Sequence, residues 1–464
     1  ALVVAPDARV LLNDGTGHFS RAPTVMGLNL SLRSSFTPGY ADFDGDGRRD
    51  LAFAGDFSTS GLRRAVGDPP LRTFIDVTAL VGVGLDENGM GADIADYDGD
   101  GDLDWFVTAI FPTSQGCYSG SPGCHGNRLY RNRGDGHFDE VAVALGVIQP
   151  DNGDLKNPVW SDIDGDGDPD LYLGGMGGNA LYRNDGATFT ELPDLFADIA
   201  ATDPVSNFAT LAEDFDQDGR DDLLFGRWTW QTFLLHGNGD GTFVRHGADI
   251  GLDAFVGPFG SVGSGTPVEN AMGLSVVDLF DDGIPDIFVG TGAPDQAGPD
   301  LLFCGDGDGH FSRCSTTLVG ADDPHRDTRG HGTAQADIDN DGDLDVFVNL
   351  GGHSYYDRAN PGTDTRETCR MFLFEPNPSA GSATIELEGT SSNRDAIGAR
   401  LVAHADRTTY RTVRSAQGFQ SQNGRAIVIP LGASMTATVH VDWPRGATSD
   451  FVVARGDRVH VLEP

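Results

Sequence analysis

The stretch Asp42-Phe43-Asp44-Gly45-Asp46-Gly47-Arg48-Arg49-Asp50, running straight into Leu51-Ala52-Phe53-Ala54, decides the fold. It places Asp at positions 1, 3, 5 and 9 and Gly at position 6, ahead of an apolar run. The arrangement returns at Asp96, Asp162, Asp214, Asp278 and Asp337, at intervals of 54, 66, 52, 64 and 59 residues. Self-similarity at that period marks a repeat architecture on the scale of one four-stranded propeller blade.

A second pattern alternates with the first. It is clearest at Leu129-Tyr130-Arg131-Asn132-Arg133-Gly134-Asp135-Gly136-His137-Phe138, with relatives at 11–19, 181–189, 234–243 and 301–311. Each is an apolar strand, a Gly/Asp/Asn turn that tolerates positive φ, and a second strand opened by Phe, which is a hairpin signature. A blade is therefore expected to run from an inner strand through the Asp loop to a second strand, such as 103–107 or 344–348, and then an outer hairpin. The hairpin at 11–19 precedes the first loop and suggests one blade more, closed by strands from both ends of the ring. The expectation is an all-β chain with a seven-bladed, alternatively six-bladed, β-propeller over residues 1–380. The pattern stops near Pro376-Asn377-Pro378, and the β-branched segments 383–388, 427–429 and 436–441 predict a small β-sandwich over 381–464.

Calcium takes six to eight oxygens in flexible geometry, and a loop with these spacings can curl several carboxylates round one ion. Gly at position 6 permits the bend. Without a cation, three or four carboxylates held this close repel one another strongly. The expected ligands are Asp42, Asp44, Asp46 and Asp50; Asp96, Asp98, Asp100 and Asp104; Asp162, Asp164, Asp166 and Asp170; Asp214, Asp216, Asp218 and Asp222; and Asp337, Asp339, Asp341 and Asp345. The remaining loop keeps only Asp278, Asp282 and Asp286, because Phe280 stands at position 3, and is expected to be the weakest or an empty site. About five to six Ca²⁺ ions follow from this count.

Composition agrees. With 31 Lys plus Arg against 70 Asp plus Glu, the formal charge is −39, which excludes nucleic acid as a partner. No apolar run reaches the ~18 residues of a membrane span. The sequence begins at Ala1, which reads as a mature secreted chain. Five Cys include two close pairs, Cys117 with Cys124 and Cys304 with Cys314, placed for local disulfides in an oxidising compartment. Cys369 is left over, as a buried thiol or a point of attachment.

Other groupings are weaker. His325, His331 and His353 bracket the last Asp loop and could hold a transition metal in the central channel, or be ordinary loop histidines. Trp228, Trp230 and Phe233, with Arg227 and Gln231, could stack a sugar or anchor a protein, or simply pack between blades. Tyr355, Tyr356, Asp357 and Arg358 lie in a long loop, 351–368, that could contact a partner or be a tolerated insertion. Asn29-Leu30-Ser31 is a glycosylation triplet of the kind expected by chance.

The Asp loops and hairpins resemble the FG-GAP/VCBS-type blades of integrin-like propellers. The blocks Gly389-Thr390-Ser391-Ser392-Asn393-Arg394-Asp395-Ala396-Ile397-Gly398-Ala399-Arg400, Gly418-Phe419-Gln420-Ser421-Gln422-Asn423 and Val441-Asp442-Trp443-Pro444-Arg445-Gly446 resemble the ASPIC/UnbV domain. Together they are similar to bacterial relatives of cartilage acidic protein. The resemblance implies an extracellular or periplasmic, calcium-binding, seven-bladed propeller engaged in adhesion or binding of protein or carbohydrate, or a scaffold subunit of an extracellular assembly. The alternative is a secreted enzyme with a metal or substrate site in the channel near His331 and His353; no established catalytic motif supports it.

Overall fold

The computed structural model describes residues 2–4, 9–23, 26–27, 35–55, 59–68, 72–85, 89–109, 126–148, 155–175, 179–186, 188–192, 207–227, 232–252, 271–293, 296–297, 300–314, 330–350, 369–372, 374, 380–415, 418 and 421–464. Among the described residues, seven small antiparallel sheets precede residue 380. The sheet carrying the Asp42 loop is typical: Ser35–Ala41, Asp50–Gly55, Gly61–Val66 and Thr73–Asp76 pair in chain order. The sheets of the Asp96, Asp162 and Asp214 loops repeat this plan, the Asp278 sheet adds a two-residue strand, Gln296–Ala297, paired to its second strand, and the Asp337 sheet shows three strands among the described residues.

Burial falls from the inside of each sheet outward. The inner strands Gly89–Ala95, Leu155–Ser161 and Asn207–Glu213 are buried at every position, as are the second strands Asp104–Ala109 and Asp170–Gly175. Strands covered on both faces read as continuous apolar runs, which is why the segment after each Asp loop lacks alternation. Outer strands such as Phe243–His246 are half-exposed. All six inner strands that lead into Asp loops shift register once near their start. A repeated bulge of this kind adds the local twist that a ring of sheets needs.

The cores lie between sheets. Phe43, Trp105, Tyr130 and Phe138 join the Asp42 and Asp96 sheets, while Tyr172, Phe225 and Phe233 join the Asp162 and Asp214 sheets. Each such side chain contributes roughly 1.5–3 kcal/mol of burial. The N-terminal sheet, Leu2–Val4, Arg9–Asn13 and Phe19–Arg21, packs through Val10 on Leu51 and Phe53 of the Asp42 sheet. On its other side Asn13 Nδ2 donates to Ile338 O at 2.6 Å, and Asn340 Nδ2 donates to Gly15 O at 2.8 Å. The two ends of the ring therefore meet, and the architecture is a β-propeller. Among the described residues all three strands of the N-terminal sheet come from the N-terminal side, and side-chain amides seal the join.

Past residue 380 the chain forms two facing sheets. One holds Ile427–Pro430, Ser382–Glu388 and Arg458–Leu462; the other holds Thr408–Thr412, Arg400–His404, Thr436–Asp442 and Thr448–Ala454. Ile385, Leu401, Val439, Val441 and Trp443 share one core between them, so this part is a small β-sandwich. The Cys304–Cys314 disulfide forms, with Cα atoms 5.3 Å apart, across the hairpin of the Asp278 sheet. No helix among the described residues is long and apolar enough to cross a membrane. Cys117, Cys124, His325, His353, Trp228, Trp230, Gln231, the 351–368 loop and the Asn29 triplet lie outside the described residues.

Candidate metal sites

Five of the six Asp loops share one first bond. The position-1 carboxylate accepts from the backbone N–H at positions 5 or 6: Gly47 N donates to Asp42 at 2.8 Å, Gly101 N to Asp96 at 2.9 Å and Gly219 N to Asp214 at 2.7 Å. The position-9 carboxylate is a staple. In the Asp162 loop, Asp170 accepts from Ile163 N within the loop at 2.9 Å and from Asn184 N of the neighbouring hairpin at 2.7 Å. Asp104, Asp222, Asp286 and Asp345 make the same pair of bonds. One residue type therefore closes the loop, fixes the third strand and turns carboxylates inward.

The turned-in carboxylates converge. Single ligand atoms of Asp42, Asp44 and Asp46 lie within 4.8 Å of one another, as do those of Asp96, Asp98 and Asp104, of Asp162, Asp164 and Asp170, and of Asp214, Asp216 and Asp218. Burial drives their affinity for protons up. Asp50, Asp170 and Asp214 are pushed to about 8, Asp96 to about 7 and Asp42 to about 6, with the neighbouring aspartates adding to the effect. Several buried oxygens have no partner: Asp50 Oδ2, Asp96 Oδ1, Asp98 Oδ1, Asp164 Oδ1, Asp216 Oδ1, Asp337 Oδ1 and Asp339 Oδ1. Five loops carry at least one such oxygen; among the described residues the Asp278 loop carries none. A hard cation with oxygen ligands fits this donor set.

Sequence reasoning missed two groups that touch the loops. The first is a cation on the adjacent hairpin. Arg64 Nε reaches Asp44 at 2.9 Å, Arg183 Nε reaches Asp164 at 4.0 Å, and His236 Nδ1 lies 3.4 Å from Asp216 and 3.1 Å from Asp222. The third residue of the Leu-Tyr-Arg-Asn pattern was the available signal. The second group belongs to the C-terminal sandwich, which sits on the loop face of the propeller. Arg400 reaches Asp162 at 3.3 Å and Gly219 O at 2.8 Å, Arg445 donates to Asp100 O at 3.1 Å, and Arg458 pairs with Asp337. Asp395 accepts from Asp42 N and from Arg49, both at 2.7 Å, and pairs with Arg425 at 2.9 Å. Burial would raise the Asp395 carboxyl, but Arg425 and Arg49 outweigh it and hold it below the usual range. Of the weaker groupings, Phe233 is buried and stacked on Phe225, with ring centroids 4.5 Å apart, so it is core.

Comparison with known proteins adds the family. The profile of the FG-GAP-like repeat matches residues 42–107, 117–173, 162–225, 214–289 and 278–348, and that of ASPIC and UnbV matches 389–464. Human cartilage acidic protein 1 is 26% identical over 284 residues, which are 56% of this chain and 38% of that protein, so the chain spans well under half of its relative. Among solved structures, an Agrocybe aegerita lectin that recognises non-reducing terminal N-acetylglucosamine is 17% identical, with TM-score 0.49 over 78% of this chain and 92% of its own. The BP39L lectin from Burkholderia pseudomallei is 10% identical, with TM-score 0.35 over 91% and 96%. Scores at this level carry no argument about ligands. All six Asp loops fall inside the matched segments, and the chain belongs to the FG-GAP-like repeat family, with an ASPIC and UnbV domain at 389–464.

Proposed function

We propose that this chain is a secreted calcium-binding protein: a seven-bladed propeller over 1–380, capped by the 381–464 domain, that presents a rigid surface to a carbohydrate or protein partner. The observation that carries the metal reading is the set of buried, unpartnered carboxylate oxygens in five of the six loops. A buried carboxylate oxygen without a donor is costly, and a divalent cation removes that cost. The four Asp of each full loop would hold the ion, and the Asp278 loop, with Phe280 at position 3 and no orphaned oxygen, is the weakest. Calcium, when bound, supplies the positive charge that lets these groups ionise at neutral pH. The Cys304–Cys314 bridge fits an oxidising compartment. Stapled loops stiffen the ring, and a stiff surface loses less entropy on engaging a partner.

Thermal unfolding with and without excess chelator tests the metal reading. The melting midpoint falls by tens of degrees on chelation and returns on adding calcium, because ion-binding energy is folding energy here. An unchanged midpoint overturns it.

A further inference from the structure

Three hairpins set a basic residue against their own Asp loop, and one of the three differs in kind. Arg64 and Arg183 meet the position-3 aspartates Asp44 and Asp164, while the Asp214 sheet has His236 at the same hairpin place. A guanidinium has no lone pair to give, whereas an imidazole is a metal ligand. The register that pairs Leu223 with Leu235 sets Asp222 opposite His236 on neighbouring strands. His236 Nδ1 lies 3.1 Å from Asp222 and 3.4 Å from Asp216, so it meets position 9 as well as position 3. Ligand atoms of Asp216, Asp222 and His236 all fall within 4.8 Å of one another. The groupings at the Asp42, Asp96 and Asp162 loops are carboxylates alone.

Two features separate this trio from an ordinary ion pair. Both carboxylates approach the same ring nitrogen, and a single N–H is directed well at one acceptor only. Asp222 already accepts from Phe215 N and Gly237 N, and Asp216 keeps a buried Oδ1 with no partner. The spacing is the second feature. Donors about 2.1 Å from one ion, at angles of roughly 95–110°, stand roughly 3.1–3.4 Å apart. His440 supplies the contrast: Asp450 lies 2.8 Å from its Nδ1 and Asp442 lies 3.2 Å from its Nε2, so one ion does not join all three. Metal-free, the His236 ring keeps a proton held by Asp222, and an incoming ion displaces it. Carboxylate oxygen suits calcium, and imidazole nitrogen suits zinc, nickel and their neighbours in the first transition row.

We propose that the Asp214 loop exchanges its calcium for a borderline transition-metal dication, with His236 Nδ1, Asp216 and Asp222 as ligands. The proposal rests on the metal reading above and sets this loop apart from the rest. Calcium holds the site when no such ion is present, and the imidazole completes a mixed nitrogen and oxygen set when one is.

Dialysis of the tag-free, calcium-loaded full chain against Co²⁺ in a calcium-containing buffer tests it, with both metals counted by elemental analysis. One calcium per chain is replaced by one cobalt. His236→Arg installs the residue that the Asp42 and Asp162 sheets use; it keeps the calcium count and lowers cobalt affinity roughly tenfold or more. His236→Gln, closer in size to the native side chain, does the same. Melting midpoints report whether each variant folds, and His440→Gln leaves the cobalt count unchanged. No cobalt in the wild-type chain, with calcium in place, overturns the proposal alone. Cobalt that replaces calcium at several loops, or that a folded His236 variant retains at full affinity, also overturns it. A chain that binds neither metal counts against the metal reading itself.

Discussion

Position 6 of every Asp loop is glycine for a conformational reason. Gly47, Gly101, Gly167, Gly219, Gly283 and Gly342 all have φ between 84° and 105°, a region that L side chains rarely adopt. In Gly101→Ala the new Cβ would also lie 2.9 Å from Arg445 and 3.1 Å from Ser391 O, so this change costs about 2 kcal/mol or more by chemical denaturation. Position 4 accepts the same backbone at Gln217, Asp281 and Asn340, with φ from 53° to 66°. Two of these use their side chains at once: Gln217 Oε1 accepts from Tyr410 N at 2.9 Å, and Asn340 donates to Gly15 O. Position 3 is matched to the hairpin where it is an aspartate: Asp44, Asp164 and Asp216 face Arg64, Arg183 and His236, whereas the Asp278 loop has Phe280 there and its hairpin has Cys304 at the corresponding place in the sequence. Titration gives a further prediction. Burial raises Asp50, Asp170 and Asp214 from 3.8 to about 8 in the metal-free protein. Their contribution to stability is complete below the unfolded value and disappears as pH climbs through about 8. Chelated protein should therefore melt lower at alkaline than at mildly acidic pH, and calcium should flatten that slope; a chelated protein whose midpoint rises between those conditions contradicts the assignment.

At the scale of the element, the hairpin asparagine links one blade to the next. Asn132 Nδ2 donates to Phe43 O at 2.7 Å, and Asn184 Nδ2 to Tyr97 O at 2.7 Å, each reaching the second residue of the preceding loop. Asn132 Nδ2 also donates to Leu103 O at 3.2 Å, and its Oδ1 accepts from Gly134 N and Gly136 N, which sets its own turn. Asn132→Ala leaves four buried or part-buried groups unmatched and should cost about 3 kcal/mol, read from the denaturation midpoint. The pattern Leu-Tyr-Arg-Asn was visible in the sequence as a hairpin, but its Arg and Asn roles were not, because the Arg position acts on its own blade's loop 19–20 residues back and the Asn on the preceding blade's loop 87–89 residues back. What periodicity could reveal was local: the loop, the turn and the buried second strand. In the sandwich, Glu463 is another long-range staple. It accepts from Thr390 N, Ser391 N and Ser392 N, all at 2.7 Å, and these bonds, with two serine hydroxyls, overcome burial and pull its carboxyl from 4.5 to about 2. Its stabilisation is full above about pH 4.5 and is lost as pH falls toward 2. Glu463→Gln should remove that acid-limb dependence and lower the domain's midpoint at neutral pH.

At the scale of the whole molecule, the sequence blocks that marked the C-terminal domain turn out to be its docking surface. Arg394 and Asp395 meet the Asp42 loop, Arg400 meets the Asp162 loop, Arg445 meets the Asp96 loop, and Gln422 bonds both backbone groups of Tyr40, at 2.6 Å to N and 3.2 Å to O. Sequence reading separated the two parts but gave no sign that one covers the other, since complementary charge on distant segments has no periodicity to detect. Removing one partner of a buried pair strands the others, so Asp395→Ala should cost roughly 3–5 kcal/mol and expose the 411–425 segment to protease. Unchanged protection there would contradict the docking. The same face holds the Asp loops, so the cations proposed for them sit beneath a lid of arginines. Elemental analysis of native protein dialysed to equilibrium against metal-free buffer is the most direct measurement. The account predicts close to five tightly held calcium ions per chain, one for each loop with an orphaned carboxylate oxygen; a folded protein that contains no divalent metal contradicts it.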